Sequence, residues 1–443
     1  MRETERAELA RRVLALAATD GCETTVTSGA TGMTRFTQNA IHQNIASSDT
    51  TVRVRTIVGG RTGVAITNDL GDASLARAVA RANEIAALAP CDDAAALLSL
   101  SSPEPAPAGA FDAATAETAP AARAATAAAI FREAEAASLW AAGYVTTAHS
   151  GITIANGAGT LVSYDGTTCG LNVKANGRDA TGFAEYYGTD ATLLDGASAG
   201  ERAASKARAG AKPQAVDPGP WTVILEPAAI GELLSYLTDH FSAQAYDEGS
   251  SFLCDGLGRS YVGENVDMRD DCAHPLLLGM PFDYEGHPRT RVPLFEAGVA
   301  HELVTDARYA AKLGTRNTGH GLPQPDAAGP QPLHVVVAGG EKSIEELIAE
   351  TKRGLLVSRF WYIRPVDARK TIVTGMTRDG TFLIENGRIV RGVRNMRFNQ
   401  SILESLRSCE FARDAARTGG YGYDMVVPPV KIASFRFTSG TDF

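Results

Sequence analysis

The feature that most constrains this fold is a repeated alternation of apolar and polar residues in short segments, each ended by a turn containing glycine. Residues 50–67 contain two such segments joined by a Gly-Gly pair, and residues 139–188 contain several more. Residues 381–390 read TFLIENGRIV, in which Asn386-Gly387 suits the positive φ angles of a two-residue hairpin turn. Because successive side chains of a strand point to opposite faces, these segments predict antiparallel sheets with one face on a core.

Segments with helical spacing separate these strands. The clearest follows a short buried strand at 221–225 and begins at Pro227, a residue suited to the first helical position. Its apolar residues recur at i, i+3, i+4 and i+7 and predict one buried stripe, formed by Ile230, Leu233, Leu234 and Leu237. Other helices are predicted over 3–19, 75–88, 121–137, 197–209 and 343–351. The last of these opens with a capping box, Ser343 with Glu346.

The order of these elements predicts an α+β protein. The N-terminal half should be an α/β arrangement with a mixed or antiparallel sheet and helices, and the C-terminal half should be β-rich and barrel-like. We place an N-terminal domain at 1–215 and a C-terminal domain at 216–443. An Ala/Pro-rich linker is expected near 89–120.

Composition narrows the class of protein. The chain has 443 residues, of which 44% are hydrophobic and 21% charged, as in ordinary globular proteins. No apolar run is long enough for a membrane-spanning helix, and the acids Glu3 and Glu5 with no apolar run behind them argue against a secretory signal. The six cysteines form no CxxC pair and are expected to be reduced thiols. These features predict a cytoplasmic protein without membrane attachment.

The net charge of −9 disfavours nucleic acid as a partner. One stretch departs from this average, because residues 352–417 carry 14 Lys/Arg against 6 Asp/Glu. The charges fall singly among apolar residues, which is more typical of a solvated sheet face than of a DNA-binding surface. We therefore expect no nucleic-acid binding from this stretch.

The sequence offers little for a metal site or a catalytic nucleophile. The His301-Glu302 pair is followed by neither HExxH nor HExxxH, so a zinc-peptidase helix is not predicted there. There is no GxSxG elbow, no P-loop and no dinucleotide-binding glycine motif. His274 lies near Asp270, Asp271 and Cys272, but an acidic turn is the simpler interpretation.

Two other histidines invite simple interpretations. His240 is expected to close the helix that begins at Pro227 and to interact with the helix dipole as a cap. His320 lies in a glycine-rich loop and is expected to be structural.

Several blocks, spread over nearly the whole chain in the right order, resemble the TldD/PmbA family, also called modulator of DNA gyrase. The longest block runs from 345 to 390 and contains FWYIRPVD and TRDGTFLIENG. The other blocks are an N-terminal strand motif at 35–44, VRVRTIVGGRTGVAITNDL at 52–70, EGSSFL at 248–253, PFDYEGHP at 281–288 and MRFNQSILESL at 396–406.

The resemblance implies one of two kinds of subunit. One kind carries a HExxxH zinc motif on the helix after the mid-chain strand, and the PmbA/TldE branch lacks it. Here that helix reads EPAAIGELLSYLTDH and contains no His-Glu pair, so the zinc ligands of the family cannot be transferred to this chain. The PmbA/TldE branch implies a non-zinc subunit of a metallopeptidase complex that cleaves unfolded or short peptides.

For this branch we expect no catalytic residue and no metal or other cofactor in the chain itself, with zinc in a HExxxH partner of the TldD type. The peptide would be held by strand addition. The resemblance in the N-terminal strand motif makes Arg35, Asn39, His42 and Asn44 substrate-groove candidates.

Two alternatives remain at the level of sequence. One is a homodimeric amide hydrolase, such as a deacylase of a small metabolite, with a rebuilt site that uses Glu232, His240 or Cys254. The other is a non-enzymatic binding protein, suggested by the gyrase name and the basic stretch.

Overall fold

The computed structural model describes residues 1–17, 19, 21–92, 98–102, 105–419 and 424–441. Its α-helices are α1 (Glu3–Leu16), α2 (Asp72–Leu88), α3 (Ala113–Ala116), α4 (Pro120–Ala136), α5 (Gly196–Ala209), α6 (Pro227–Thr238), α7 (Ala243–Asp247), α8 (Ala307–Leu313), α9 (Ile344–Ala349) and α10 (Ile402–Arg407).

The strands of the N-terminal half are β1 (Gly21–Thr37), β2 (Ala40–Val58), β3 (Arg61–Thr67), β4 (Trp140–Asn156), β5 (Leu161–Asn176) and β6 (Thr181–Gly188). Those of the C-terminal half are β7 (Gly219–Leu225), β8 (Met268–Asp270), β9 (Val292–Glu296), β10 (Val299–Ala300), β11 (Val335–Val337), β12 (Arg353–Asp367), β13 (Ile372–Glu385), β14 (Arg388–Gly392), β15 (Met396–Ser401), β16 (Cys409–Phe411), β17 (Ala416–Gly419), β18 (Asp424–Val427) and β19 (Val430–Gly440).

The N-terminal half is built on one antiparallel sheet in the order β3-β2-β1-β4-β5-β6. Helices α2 and α5 lie very close to this sheet because glycine stands where they touch it. A Cβ atom added at Gly63 of β3 would lie 2.0 Å from the Ala82 carbonyl oxygen, and one at Gly182 of β6 would lie 2.1 Å from that of Ala203. Any side chain at these two positions would force the helices outward.

The C-terminal half contains a closed ring of strands. The order β12-β7-β19-β15-β13 returns to its start, because β13 also pairs with β12. The closure leaves no free edge among these strands where the ring is complete, which is how barrels protect their backbone groups. The interior contains a phenylalanine cluster in which the Phe360 and Phe398 rings lie 4.7 Å apart. This ring confirms the barrel-like expectation, and the whole is α+β as predicted.

A second sheet of the C-terminal half has the order β10-β9-β8-β11-β18-β17. Its strands are short, and β11 and β18 run parallel. It shares one apolar core with the barrel and α6, and α6 buries the predicted stripe of Ile230, Leu233, Leu234 and Leu237.

The structure corrects two predicted boundaries. The first helix ends at Leu16, and the helix from Pro227 ends at Thr238, so His240 lies in a 3₁₀ turn, Asp239–Phe241. Positions 18 and 20, within and just after the first helix as predicted to Thr19, lie outside the described residues, as do positions 93–97 and 103–104 of the predicted linker. Among the residues described, no helix has the length and apolar character to cross a membrane.

Candidate functional site

Helix α6 occupies the place in the chain where the resemblance implies a zinc motif. A HExxxH motif ending at His240 would need His at 235 and Glu at 236, where this chain has Ser235 and Tyr236. The Tyr236 hydroxyl donates a hydrogen bond of 2.7 Å to the carbonyl oxygen of Ile363 on β12. In that register, the side chain in place of the water-activating Glu ties the helix to the barrel.

His240 does not act as a charged helix cap. Its side chain is buried, and its ring lies 5.3 Å from that of Phe252. Burial lowers the pKa of His240 to about 4, so the imidazole is neutral at pH 7. A neutral ring cannot supply the positive charge that favours a helix C-terminus, and the sequence-based expectation for His240 was wrong.

Glu232, one turn into α6, faces the N-terminal half. Its side chain is half-buried, and burial raises its pKa to about 7 against the pull of Arg359 and Arg364 on β12. Glu185 on β6 has the same property, because burial raises its pKa to about 7. Glu185 accepts a hydrogen bond of 2.7 Å from the Thr418 hydroxyl on β17.

We call Glu185, Glu232, Arg359 and Thr418 the seam cluster, because it joins β6 of the N-terminal half to α6, β12 and β17 of the C-terminal half. The Arg359 guanidinium lies 4.7 Å from the centre of the Phe183 ring and lowers the pKa of both carboxyls. Carboxyls that titrate near neutral pH can exchange protons, as catalytic acids and bases do. Sequence analysis proposed Glu232 and missed the other three, since no short motif joins them.

The three residues proposed for a rebuilt hydrolase site do not converge. The Cys254 thiol donates to the Tyr246 carbonyl oxygen at 3.2 Å, and the His240 ring packs on Phe252. Within the described part of the chain, no hydrogen bond or ion pair links Glu232, His240 and Cys254 to one another.

Beside α6, part of β12 extends beyond its pairing with β7 while one face still packs on the barrel core. β12 pairs with β7 only at Leu355–Val357, and residues 358–367 pair with β13 alone. We call residues 358–367 the β12 ribbon. Three of its apolar side chains are open to solvent, with exposures of 36% for Trp361, 59% for Tyr362 and 56% for Val366, whereas Phe360 and Ile363 point into the core.

The four substrate-groove candidates lie on the β1–β2 hairpin, away from α6. Arg35, His42 and Asn44 are exposed, and Arg35 donates to the Gln43 side chain at 3.2 Å. Asn39 sits in the hairpin turn with φ 56°, where its side chain accepts from the Ala141 amide at 2.7 Å and donates to the Leu139 carbonyl. No hydrogen bond or ion pair connects these four to the seam cluster in the portion of the chain described.

The other histidines and acids form structural contacts. His320 Nε2 lies 3.0 Å from Asp270 Oδ1, both groups are buried, and the contact helps hold the pKa of Asp270 below its usual range. His274 Nδ1 accepts from the Leu276 amide, within the turn that sequence analysis favoured. Throughout the described ranges, no three His, Cys, Asp or Glu side chains are grouped so that they could hold a metal ion.

Comparison with known proteins shows to which protein family this chain belongs. The PmbA/TldA metallopeptidase C-terminal domain matches residues 218–439, and PmbA/TldA metallopeptidase domain 1 matches residues 22–86. This chain belongs to the PmbA/TldD family. A metalloprotease TldD homolog of Buchnera aphidicola is 23% identical over 203 residues, which are 44% of this chain and 41% of that protein.

Solved structures share the whole fold. TldE from Thermococcus kodakarensis superposes with a TM-score of 0.87 at 22% identity, covering 99% of this chain and 100% of its own. A Thermotoga maritima protein described as a modulator of DNA gyrase gives 0.87 at 20% identity, with 97% and 99% covered. A protein of the same description from Bacteroides thetaiotaomicron gives 0.84 at 19%, with 99% of both chains covered. The TldE branch fits this chain, whose α6 lacks a His-Glu pair.

Proposed function

We propose that this chain is the TldE/PmbA-type subunit of a cytoplasmic, two-component metallopeptidase. A TldD-type partner supplies the zinc and the HExxxH helix, and this chain closes the substrate cavity and helps to hold the peptide. The complex cleaves unfolded or short peptides.

The chemistry of α6 supports a role without zinc in this subunit. A zinc peptidase needs imidazole ligands and a carboxylate that activates the metal-bound water. In the register that would end a HExxxH motif at His240, the first two positions are Ser235 and Tyr236, and the Tyr236 hydroxyl is engaged by the barrel. His240, at the third, is packed against an aromatic ring.

The β12 ribbon is the observation that carries the proposal. Large apolar side chains exposed together mark interaction sites, and aromatic residues dominate the binding energy of interfaces. Among the described residues, β13 is the only strand that pairs with this ribbon, although the Ile363 carbonyl accepts from the Tyr236 hydroxyl. A strand edge of this kind can pair with a partner strand or an extended peptide.

The β1–β2 hairpin supplies a second edge for the same purpose. Residues 40–49 of β2 are exposed along their full length and pair only with β1. Arg35, His42 and Asn44 project from this hairpin and are proposed to contact peptide, with Asn39 fixing its tip.

Reconstitution with a TldD-type chain tests the proposal. The mixture should contain zinc, hydrolyse an unfolded peptide, and lose this activity to a chelator, whereas each chain alone should be much less active. A matched complex with the Glu of the partner's HExxxH changed to Gln should assemble and remain inactive. Activity of this chain alone at the level of the mixture would refute the subunit role.

A second candidate, a homodimeric amide hydrolase, is favoured by the seam cluster. Two carboxyls that titrate near pH 7 are suited to acid–base work. If Glu232 or His240 is a general base, Glu232→Gln or His240→Ala should lower turnover by about 10²–10⁴-fold. On the subunit proposal, both variants should retain the activity of the complex to within about threefold, well below that loss.

A further inference from the structure

A cavity of about 640 Å³ lies where the β5–β6 turn meets the barrel, and neither family membership nor the proposed peptidase role uses it. Its walls come from both halves of the chain: Arg178 and Lys212 from the N-terminal side, Arg378 and Arg394 from the C-terminal side. Arg378 and Arg394 belong to the basic stretch at 352–417. A cavity of this size suits a small molecule.

The charge of this cavity opposes that of the molecule. Five cationic and two acidic side chains line it, a local excess of three positive charges on a chain of net charge −9. The two acids are engaged. Asp379 lies 3.1 Å from Lys174 Nζ and accepts from the Thr181 hydroxyl at 2.8 Å, and Asp179 accepts from the Lys212 amide.

Three of the cations have no partner. Within the described ranges, the side chains of Arg178, Lys212 and Arg394 form no hydrogen bond or ion pair, and all three are exposed at the rim. Some exposed arginines elsewhere, such as Arg316 and Arg413, pair with acids, whereas others, such as Arg291 and Arg388, have no acidic partner among the described residues. Unpaired cations from three separate segments around one cavity leave their charge available to a ligand.

The floor of the cavity is held in a strained conformation. Asp379 has φ 55° and Gly380 has φ 135°, in the middle of β13, where the pairing with β12 shifts register between Val357 and Arg359. The Asp379 side chain contacts Lys174 and Thr181 of the N-terminal half, so these contacts hold it across the junction of the two halves. Strained backbone that the surroundings hold in place often marks a functional site.

We propose that this cavity binds a small phosphorylated molecule with at least two anionic groups, held by Arg178, Lys212 and Arg394. Guanidinium groups match phosphate oxygens in a two-pronged geometry, and cations from three segments offer contacts to more than one phosphate. Because the walls come from both halves, the bound ligand also stabilises their junction. The proposal stands independently of any partner subunit.

Titration calorimetry of the full chain with pyrophosphate and with ATP tests this inference. Both should bind, weaken as salt rises, and raise the thermal midpoint. The double variant Arg178→Ala, Arg394→Ala should bind at least about tenfold more weakly, since charge-assisted contacts are lost. The control Arg291→Ala, Arg388→Ala removes two exposed arginines outside the cavity and should bind as the unmodified chain does.

Three results would overturn the inference: no binding of either probe tighter than about 1 mM, equal binding by the cavity variant and the control, or tighter binding of duplex DNA that increases with its length. The last would assign the cations to nucleic acid. Lys212→Ala supplies a milder test if the double variant has a lower midpoint without ligand.

Discussion

At the scale of single residues, the seam cluster combines two carboxyls from distant parts of the chain with one arginine. Desolvation is the largest influence on both carboxyls, and Arg359 compensates only part of it. A proton on either carboxyl near neutral pH is therefore bound more tightly in the folded chain than in the unfolded chain. The cluster makes the stability of the junction depend on pH.

The two carboxyls stabilise the folded chain less as the pH rises. Glu185 and Glu232 have raised pKa values of about 7 in the folded chain, against an ordinary 4.5. Between these values the folded state holds protons that the unfolded state has released, so their contribution to the free energy of unfolding falls as pH rises from about 4.5 to about 7.

We expect Glu185→Gln, Glu232→Gln to remove this contribution and to be more stable than the unmodified chain at pH 8, by roughly 1–3 kcal/mol. Denaturant unfolding at several pH values measures this difference in the free energy of unfolding. Glu201→Gln, on the exposed face of α5, serves as the control. Parallel pH profiles for the double variant and the unmodified chain would contradict the assignment.

For His240 we expect the opposite pH dependence of stability. Its folded pKa of about 4 lies below the ordinary 6.5, so its contribution to stability falls as pH drops from about 6.5 to about 4. His240→Ala should lose buried contacts with Phe252 at a cost of about 1–3 kcal/mol at pH 7, and should unfold with less acid sensitivity. A charged helix cap would cost only about 0.3–1 kcal/mol and would gain stability in acid. Thermal melts at pH 5 and pH 7 separate the two.

At the scale of elements, the β1–β2 hairpin depends on one side chain at its tip. Asn39 adopts a left-handed conformation and makes two hydrogen bonds to the backbone next to and within β4. Asn39→Ala removes both bonds and strains the turn, so we expect a loss of about 1–3 kcal/mol in the free energy of unfolding. Asn39→Asp keeps the acceptor for the Ala141 amide and should lose less. A drop in peptide hydrolysis with unchanged stability would instead assign Asn39 to substrate contact.

The β12 ribbon makes a prediction about association. Trp361→Ala with Tyr362→Ala should weaken binding to the partner, or to a second copy, by at least tenfold, because exposed aromatic residues are the usual hot spots of interfaces. The midpoint of the isolated chain should barely change. Ile389→Ala with Val390→Ala, on exposed β14, is the matched control. Sedimentation equilibrium measures the association constant of each variant. If the ribbon variant and the control lose affinity equally, the ribbon is not part of the interface.

At the scale of the whole molecule, residues 358–367 of β12 and 40–49 of β2 each pair with a strand on one side only, next to the barrel and within the N-terminal sheet. A subunit of this kind should bury a large permanent interface, on the order of 2,000 Å² or more. We expect light scattering to give a dimer mass at micromolar concentration, with a TldD-type partner or with itself. A monomer under both conditions would count against the proposed role.

The features that could be predicted from the sequence depend on interactions between residues close together in the chain. The Asn386-Gly387 turn has φ values of 50° and 77°, and the Ser343–Glu346 capping box forms as predicted. The buried stripe of α6 follows from the spacing of four apolar residues. Each of these features depends on residues within about two helical turns of one another, so periodicity and turn chemistry are sufficient to predict them. The order of the predicted elements indicated the α+β class, and the family blocks added the resemblance to the branch without a His-Glu pair.

Only the tertiary structure decided the environment of the functional candidates. Glu185 meets Thr418 across 233 positions in the chain, and no sequence pattern links the two. His240 has the spacing of a helix cap, yet its charge is removed by the aromatic core that folds over it. The cavity proposed to bind phosphate needs cations from three segments, which are brought together when β5, β6 and the barrel meet. Burial and long-range juxtaposition set the pKa and the available charge of a side chain, and both arise only when distant segments pack together.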